Sequence, residues 1–290
     1  MSIAGWLPEE WSKAVLPIAL GGPATGFTPV GTAFLLDFLV DRTHVGSLIT
    51  AKHVVFDEDG QLRRGLFVLT NLRGGGGTYM AIERLTELGI RWISHRQKDL
   101  AATLFPRDSI LPAGISADVK FFTYEHLEEF ANIREGDDVF LLGFPLSLGV
   151  MAPPGVRPIV RTGTVSLKKN DETYLIDANV FPGNSGSPVF FKPCPIQFTP
   201  QGLQMGPMRP PKLIGVVTSY VPYRDVAISQ QTGRARIEFE ENSGLGSVLS
   251  MGFVRELLAS TELQNMSRDR IQRESSIANG SQRTQTQTHP

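Results

Sequence analysis

The sequence predicts an all-β protein built from two six-stranded antiparallel β-barrels with a C-terminal helix. Three observations lead there. Short apolar runs separated by turn signals fill residues 13–105 and return over 138–249, the pattern of many short strands. No long amphipathic helix interrupts either set, and about six strands suit one small closed barrel. The chain has 290 residues, 41% hydrophobic and 20% charged, enough for a sizeable core in one domain or two small subdomains.

Residues 1–12 form an N-terminal leader in which Trp6 and Trp11 are candidates to staple it to the body. The first barrel is expected over 13–115, with strands at 15–20, 31–39, 46–51, 65–71, 79–85 and 100–105. Gly74-Gly75-Gly76-Gly77 separates two of these strands. It lacks the lysine and following helix of a phosphate loop, so it reads as a hairpin tip. Residues 116–136 read as a connector anchored by Phe121, Phe122 and Phe130. The second barrel and terminal helix occupy 137–263, with strands at 138–145, 157–167, 173–177, 187–191, 212–220, 235–239 and 246–249. The helix is expected over 251–263, because Phe253, Val254, Leu257 and Leu258 recur at helical spacing behind Ser250 as N-cap. Residues 264–290 are rich in Gln, Ser, Thr and Arg. They carry too little apolar surface to offset chain entropy, so a disordered tail is expected.

The chemistry centres on Phe181-Pro182-Gly183-Asn184-Ser185-Gly186-Ser187-Pro188-Val189. A serine hydroxyl attacks a carbonyl only with a base beside it and donors for the oxygen that becomes negative. Gly183 can take φ > 0 and aim its N–H, with that of Ser185, at one point; Asn184 between them is a candidate third member of this oxyanion hole. Taken alone, the same residues also make an ordinary surface turn. Upstream, Leu48-Ile49-Thr50-Ala51-Lys52-His53-Val54-Val55 places a histidine after an apolar run, and Lys98-Asp99-Leu100-Ala101 places an aspartate at the head of another. His53 is the candidate base and Asp99 its orienting carboxylate. Hydrolases with a nucleophile elbow run serine, acid, histidine, but the only histidine after Ser185 is His289, which leaves the order His53, Asp99, Ser185.

These stretches resemble the trypsin-like (chymotrypsin-fold) serine proteases, nearest in pattern to the HtrA/Deg branch. The resemblance rests on Gly31-Thr32-Ala33-Phe34, Thr50-Ala51-Lys52-His53, Asp99-Leu100-Ala101, and Asp177-Ala178 leading into Pro182 to Pro188. It continues through Ile214-Gly215-Val216-Val217-Thr218-Ser219 and Gly244-Leu245-Gly246-Ser247-Val248, from about residue 12 to about residue 262. Two departures are Ser187, where the HtrA pattern usually has glycine, and the absence downstream of anything that could form a PDZ domain. The resemblance implies a serine endopeptidase acting on peptide or protein substrates in the cleft between two barrels. It places Thr218 near the aspartate and the substrate backbone, Asn179 at the floor of the primary pocket, and Ser219 and Tyr220 along its wall. With no carboxylate at Asn179 and a narrowing Tyr220, cleavage after small or medium apolar residues is expected. The alternatives are a partner-activated regulatory or chaperone-like protein, or a pseudoprotease binding module using the same cleft.

Other readings are bland. A net charge of −1 predicts no general attraction to nucleic acid or an anionic membrane. Glu125-His126-Leu127-Glu128-Glu129 lacks the spacing that puts two histidines on one helical face, and His44 and His95 stand isolated, so no metal or cofactor is expected. The single cysteine, Cys194, permits no internal disulfide. Residues 1–10 contain Pro8, Glu9 and Glu10 but no base, and the apolar run 14–20 is short and holds Pro17. Neither suits a signal peptide or a membrane span, and a cytoplasmic location is the default. The segment 192–211, with six prolines, is long enough to be a lid or a contact for a regulatory partner.

Overall fold

In the computed structural model, which describes residues 7–106, 116–145, 155–193, 196–199, 202–205 and 210–286, the strands fall into two antiparallel units. The first comprises β1 (Val15–Gly22), β2 (Gly26–Val40), β3 (Thr43–Thr50), β4 (Leu66–Asn71), β5 (Gly77–Ala81), β6 (Ile93–Ser94) and β7 (Ala101–Leu104). Their order across the sheet is β5-β4-β1-β2-β3-β7-β6. β2 is its long central member, buried at every position from Ala33 to Leu36, and four consecutive apolar residues are what a strand covered on both faces requires. It returns into β3 through Asp41 and Arg42, at φ 48° and 69°, a doubly left-handed turn whose twist matches that of the hairpin strands.

The second unit is a closed six-stranded barrel in the order β10-β15-β14-β11-β8-β9. Its strands are β8 (Asp138–Gly143), β9 (Ile159–Lys168), β10 (Thr173–Asp177), β11 (Pro188–Phe191), β14 (Leu213–Ile228) and β15 (Ala235–Ser250). The period of two along these strands divides their side chains between two cores. Val139, Leu141, Val189, Phe191 and Ile214 fill the barrel. Phe140, Leu142, Phe190 and Val216 instead join the core of the first unit, so the strands that close one barrel also seal it to its neighbour. Trp11, in a 3₁₀ turn at Glu9–Ala14, caps this seam with its ring 5.3 Å from Phe122 and 4.8 Å from Phe190.

Several expectations are corrected. The first unit has seven strands in its sheet, because the pair Ile93–Ser94 is too short to be legible as a strand. The run expected as a strand to Leu85 ends at Ala81 and turns into α2 (Glu83–Glu87), which buries Leu85 from a helix. The strand expected to end at Tyr220 continues to Ile228, and the two expected over 235–249 are one strand. Together β14 and β15 make a ribbon whose distal pairs, Tyr223↔Glu241 to Ile228↔Ala235, are solvent-exposed. The terminal helix is α3 (Met251–Leu258), and the tail expected to be disordered is helical too, as α4 (Thr261–Thr286). Leu263, Met266 and Ser267 are buried there, and the Arg91 N–H meets Met266 Sδ at 3.2 Å. Three inward residues on the first two turns are enough to dock a helix whose composition is otherwise polar. The 192–211 segment contains a small hairpin of β12 (Ile196–Thr199) and β13 (Gly202–Met205); Cys194 and Trp6 lie outside the described residues. Among the described residues no helix is long and apolar enough to cross a membrane.

Candidate active site

His53 sits in α1 (Lys52–Val55), a single helical turn that follows β3 directly. Asp99 lies at the entry to β7, two residues before its first strand residue. Its carboxylate grips His53 twice. Oδ1 accepts the His53 backbone N–H at 3.0 Å and Oδ2 faces Nδ1 at 2.7 Å. A carboxylate only accepts, so Nδ1 carries the ring proton and Nε2 presents a lone pair. Nε2 is 3.0 Å from Ser185 Oγ. The same hydroxyl lies 3.1 Å from the Thr218 carbonyl, so its one proton has two acceptors, and only the imidazole can remove it.

Ser185 is presented by a turn that the local sequence dictates. The Asn184 N–H donates to the Phe181 carbonyl at 3.0 Å, with Pro182 second and Gly183 third at φ 95°. That is a type II turn, which wants proline at its second position and glycine at its third. What aims the turn comes from the other unit. Thr32, on β2, donates its backbone N–H to the Ser185 carbonyl at 2.8 Å and its hydroxyl to the Gly183 carbonyl at 2.8 Å. The Thr32 hydroxyl in turn accepts the Phe144 N–H at 3.0 Å, and the Thr50 hydroxyl donates to the Thr32 carbonyl at 2.6 Å. With their carbonyls held by Thr32, the N–H groups of Gly183 and Ser185 have no protein acceptor among the described residues. This is the arrangement an incoming oxyanion needs.

Asn184 does not share in it. Its backbone N–H is spent on Phe181, and its side chain is 0% exposed, with neither amide atom hydrogen-bonded among the described residues. A Cβ added to Gly143 would lie 2.6 Å from Asn184 Oδ1 and 2.2 Å from Ser187 Oγ, so these two polar groups crowd one small space behind the turn. The sequence assigns no role to Thr32, Thr50 or Ser187: Thr50 enters only ahead of His53, and Ser187 only as a departure from glycine. The only signal for Thr32 was its place in Gly31-Thr32-Ala33-Phe34.

A family model described as a trypsin-like peptidase domain matches residues 31–192, more than half of the chain. The chain belongs to the trypsin-like peptidase family. Its two antiparallel units, with His53 and Asp99 on one and Ser185 on the other, have the chymotrypsin-like arrangement. No curated protein matches the sequence. Among solved structures, the serine endoprotease from Yersinia pestis is similar at 16% identity and a TM-score of 0.47, over 90% of this chain and 65% of that one.

In this trypsin-like chain the remaining candidates divide. Thr218 is buried beside Ser185, but its hydroxyl donates to the Ser247 carbonyl at 3.3 Å and not to Asp99; its carbonyl is the group that meets Ser185. Ser219 and Asn179 are exposed. Tyr220 packs on the barrel core, and its hydroxyl donates to Glu240 Oε1 at 2.7 Å. That hydrogen bond to a carboxylate raises its pKa. Gly246, paired with Tyr220, has no room for a side chain, since a Cβ would lie 2.5 Å from Val180 Cγ2. Among the described residues no group of three His, Cys, Asp or Glu could hold a metal ion.

Proposed function

We propose that this trypsin-like protease hydrolyses peptide bonds through an acyl-enzyme on Ser185. The observation that carries the reading is the unbroken line Asp99 Oδ2, His53 Nδ1, His53 Nε2, Ser185 Oγ, with separations of 2.7 and 3.0 Å at its two gaps. Ser185 Oγ attacks the scissile carbonyl carbon while His53 Nε2 takes its proton. The carbonyl oxygen, now negative, accepts the Gly183 and Ser185 N–H groups. His53 then gives its proton to the leaving nitrogen and the amine departs. Water enters, loses a proton to Nε2 and attacks the acyl carbon, and collapse returns the proton to Ser185. Asp99 keeps the proton on Nδ1 throughout and offsets the charge of the imidazolium.

The substrate is a peptide or protein segment cleaved after a small or medium apolar residue. Asn179, Thr218 and Ser219 supply no carboxylate to pair with a lysine or arginine side chain, and the Glu240 carboxylate beside them is already engaged by the Tyr220 hydroxyl and by Arg224. A cytoplasmic location is part of the proposal, supported by one cysteine in 290 residues. The test is labelling by a fluorophosphonate probe. Wild type should label and Ser185→Ala should not, whereas equal labelling of both ends the assignment. Cleavage of a proteome-derived peptide mixture should then show apolar residues before the cut; a profile led by arginine or lysine overturns the specificity.

A further inference from the structure

We propose that His95 is a positioning residue for Asp99, acting through the turn that carries the carboxylate. The proposal rests on reading Asp99 as the group that orients His53. His95 is only 6% exposed, and its ring sits inside the loop that delivers Asp99 to the site. Nδ1 accepts two successive backbone donors, the N–H of Gln97 at 3.2 Å and that of Lys98 at 3.1 Å. The backbone closes around the same ring: the His95 N–H donates to the Leu100 carbonyl at 2.8 Å and the Leu100 N–H to that of Lys98 at 2.8 Å. Two N–H groups converging on Nδ1 require a lone pair there, so the ring is neutral with its proton on Nε2. Nε2 lies 3.3 Å from Glu256 Oε2 on α3.

Helix α3 and the turn before β10 therefore reach this loop at its two ends, although His95 Nε2 makes no hydrogen bond to Glu256. Glu256 and the Phe253 ring, edge-on at 5.7 Å, face His95. Lys98, next to Asp99, pairs with Asp171 at 3.0 Å and sits 4.6 Å from the centre of the Phe253 ring. An imidazole nitrogen replaces the backbone acceptor that a regular turn would supply to Gln97 and Lys98. Without it both N–H groups lose their partner in a partly buried turn, the turn reopens towards water, and Asp99 loses the alignment that its bonds to His53 require.

The test compares His95→Leu, which keeps an apolar side chain but no acceptor, with His95→Asn, whose Oδ1 can stand where Nδ1 does. Both are measured in the full chain, below their melting temperatures. His95→Leu should lower kcat on a peptide substrate by about tenfold to a hundredfold with KM little changed. It should also weaken the downfield proton resonance of the His53–Asp99 hydrogen bond. His95→Asn should recover most of both signals although its contact with Glu256 is lost. A wild-type resonance in His95→Leu, or an asparagine variant no better than leucine, overturns the proposal. The resonance reports on the His53–Asp99 pair whether or not turnover occurs. Failure of wild type to label with the fluorophosphonate would thus sink the protease mechanism separately, and a resonance lost in Asp99→Asn but kept in His95→Leu would sink this inference alone.

Discussion

At the scale of single residues, Thr32 concentrates more of the site's geometry than its side chain suggests. One buried hydroxyl serves the Gly183 carbonyl and the Phe144 N–H, and its backbone serves Ser185. Thr32→Val keeps the shape but orphans two buried polar groups, which costs about 1–3 kcal/mol each. Urea unfolding should register that loss and kcat should fall, whereas Thr32→Ser should retain both. Asp171 gives a prediction in pH. Its carboxyl is held down to about 2, first by the Thr173 hydroxyl and then by Lys98. A carboxylate with a depressed folded-state pKa stabilises the protein above its unfolded value and loses that contribution as pH falls through the folded one. Wild type should therefore lose stability between about pH 4 and pH 2 more steeply than Asp171→Asn, read as the slope of melting temperature against pH; parallel slopes would contradict it. Neither residue stood out in the sequence, because a threonine in a strand and an aspartate in a turn are ordinary there.

At the scale of elements, the periodicity of apolar residues located nearly every strand and misjudged where some stop. Tyr79 to Leu85 reads as one run, yet helix α2 takes its end, since Leu85 can be buried from either geometry. The β14–β15 ribbon outruns its apolar signal because strand pairing needs only backbone donors and acceptors once the register is set. The tail shows the converse error. Composition pointed to disorder in 264–290, but Met266 and Ser267 are buried, and that contact offsets the entropy of ordering the first turns. Met266→Ala should cost about 2–5 kcal/mol in chemical denaturation. In a frayed tail the same substitution would cost almost nothing, so the two readings separate cleanly.

At the scale of the whole molecule, the site is a seam. Gly186 lies where the units touch: a Cβ there would sit 2.0 Å from the Thr32 carbonyl and 2.4 Å from the Thr50 hydroxyl, and its φ of 87° is itself unsuited to a side chain. Gly186→Ala should push the serine-bearing turn off the first unit, lowering the melting temperature and abolishing probe labelling. Gly60→Ala, at φ 74° but with open space around it, carries the backbone strain alone and should leave labelling intact. The sequence by itself determined a tight turn with Gly183 at φ > 0, the order His53, Asp99, Ser185 and the two sets of strands, because each follows from local conformational preference, chain order or the period of burial. Only the tertiary structure decided that Thr32 aims the turn from 151 residues away, that Gly186 fits between Thr32 and Thr50, and that Asp171 reaches across to Lys98 beside Asp99. Those contacts join segments with no local claim on one another, and they exist because two apolar faces must be buried against each other before any polar group across the seam can find its partner.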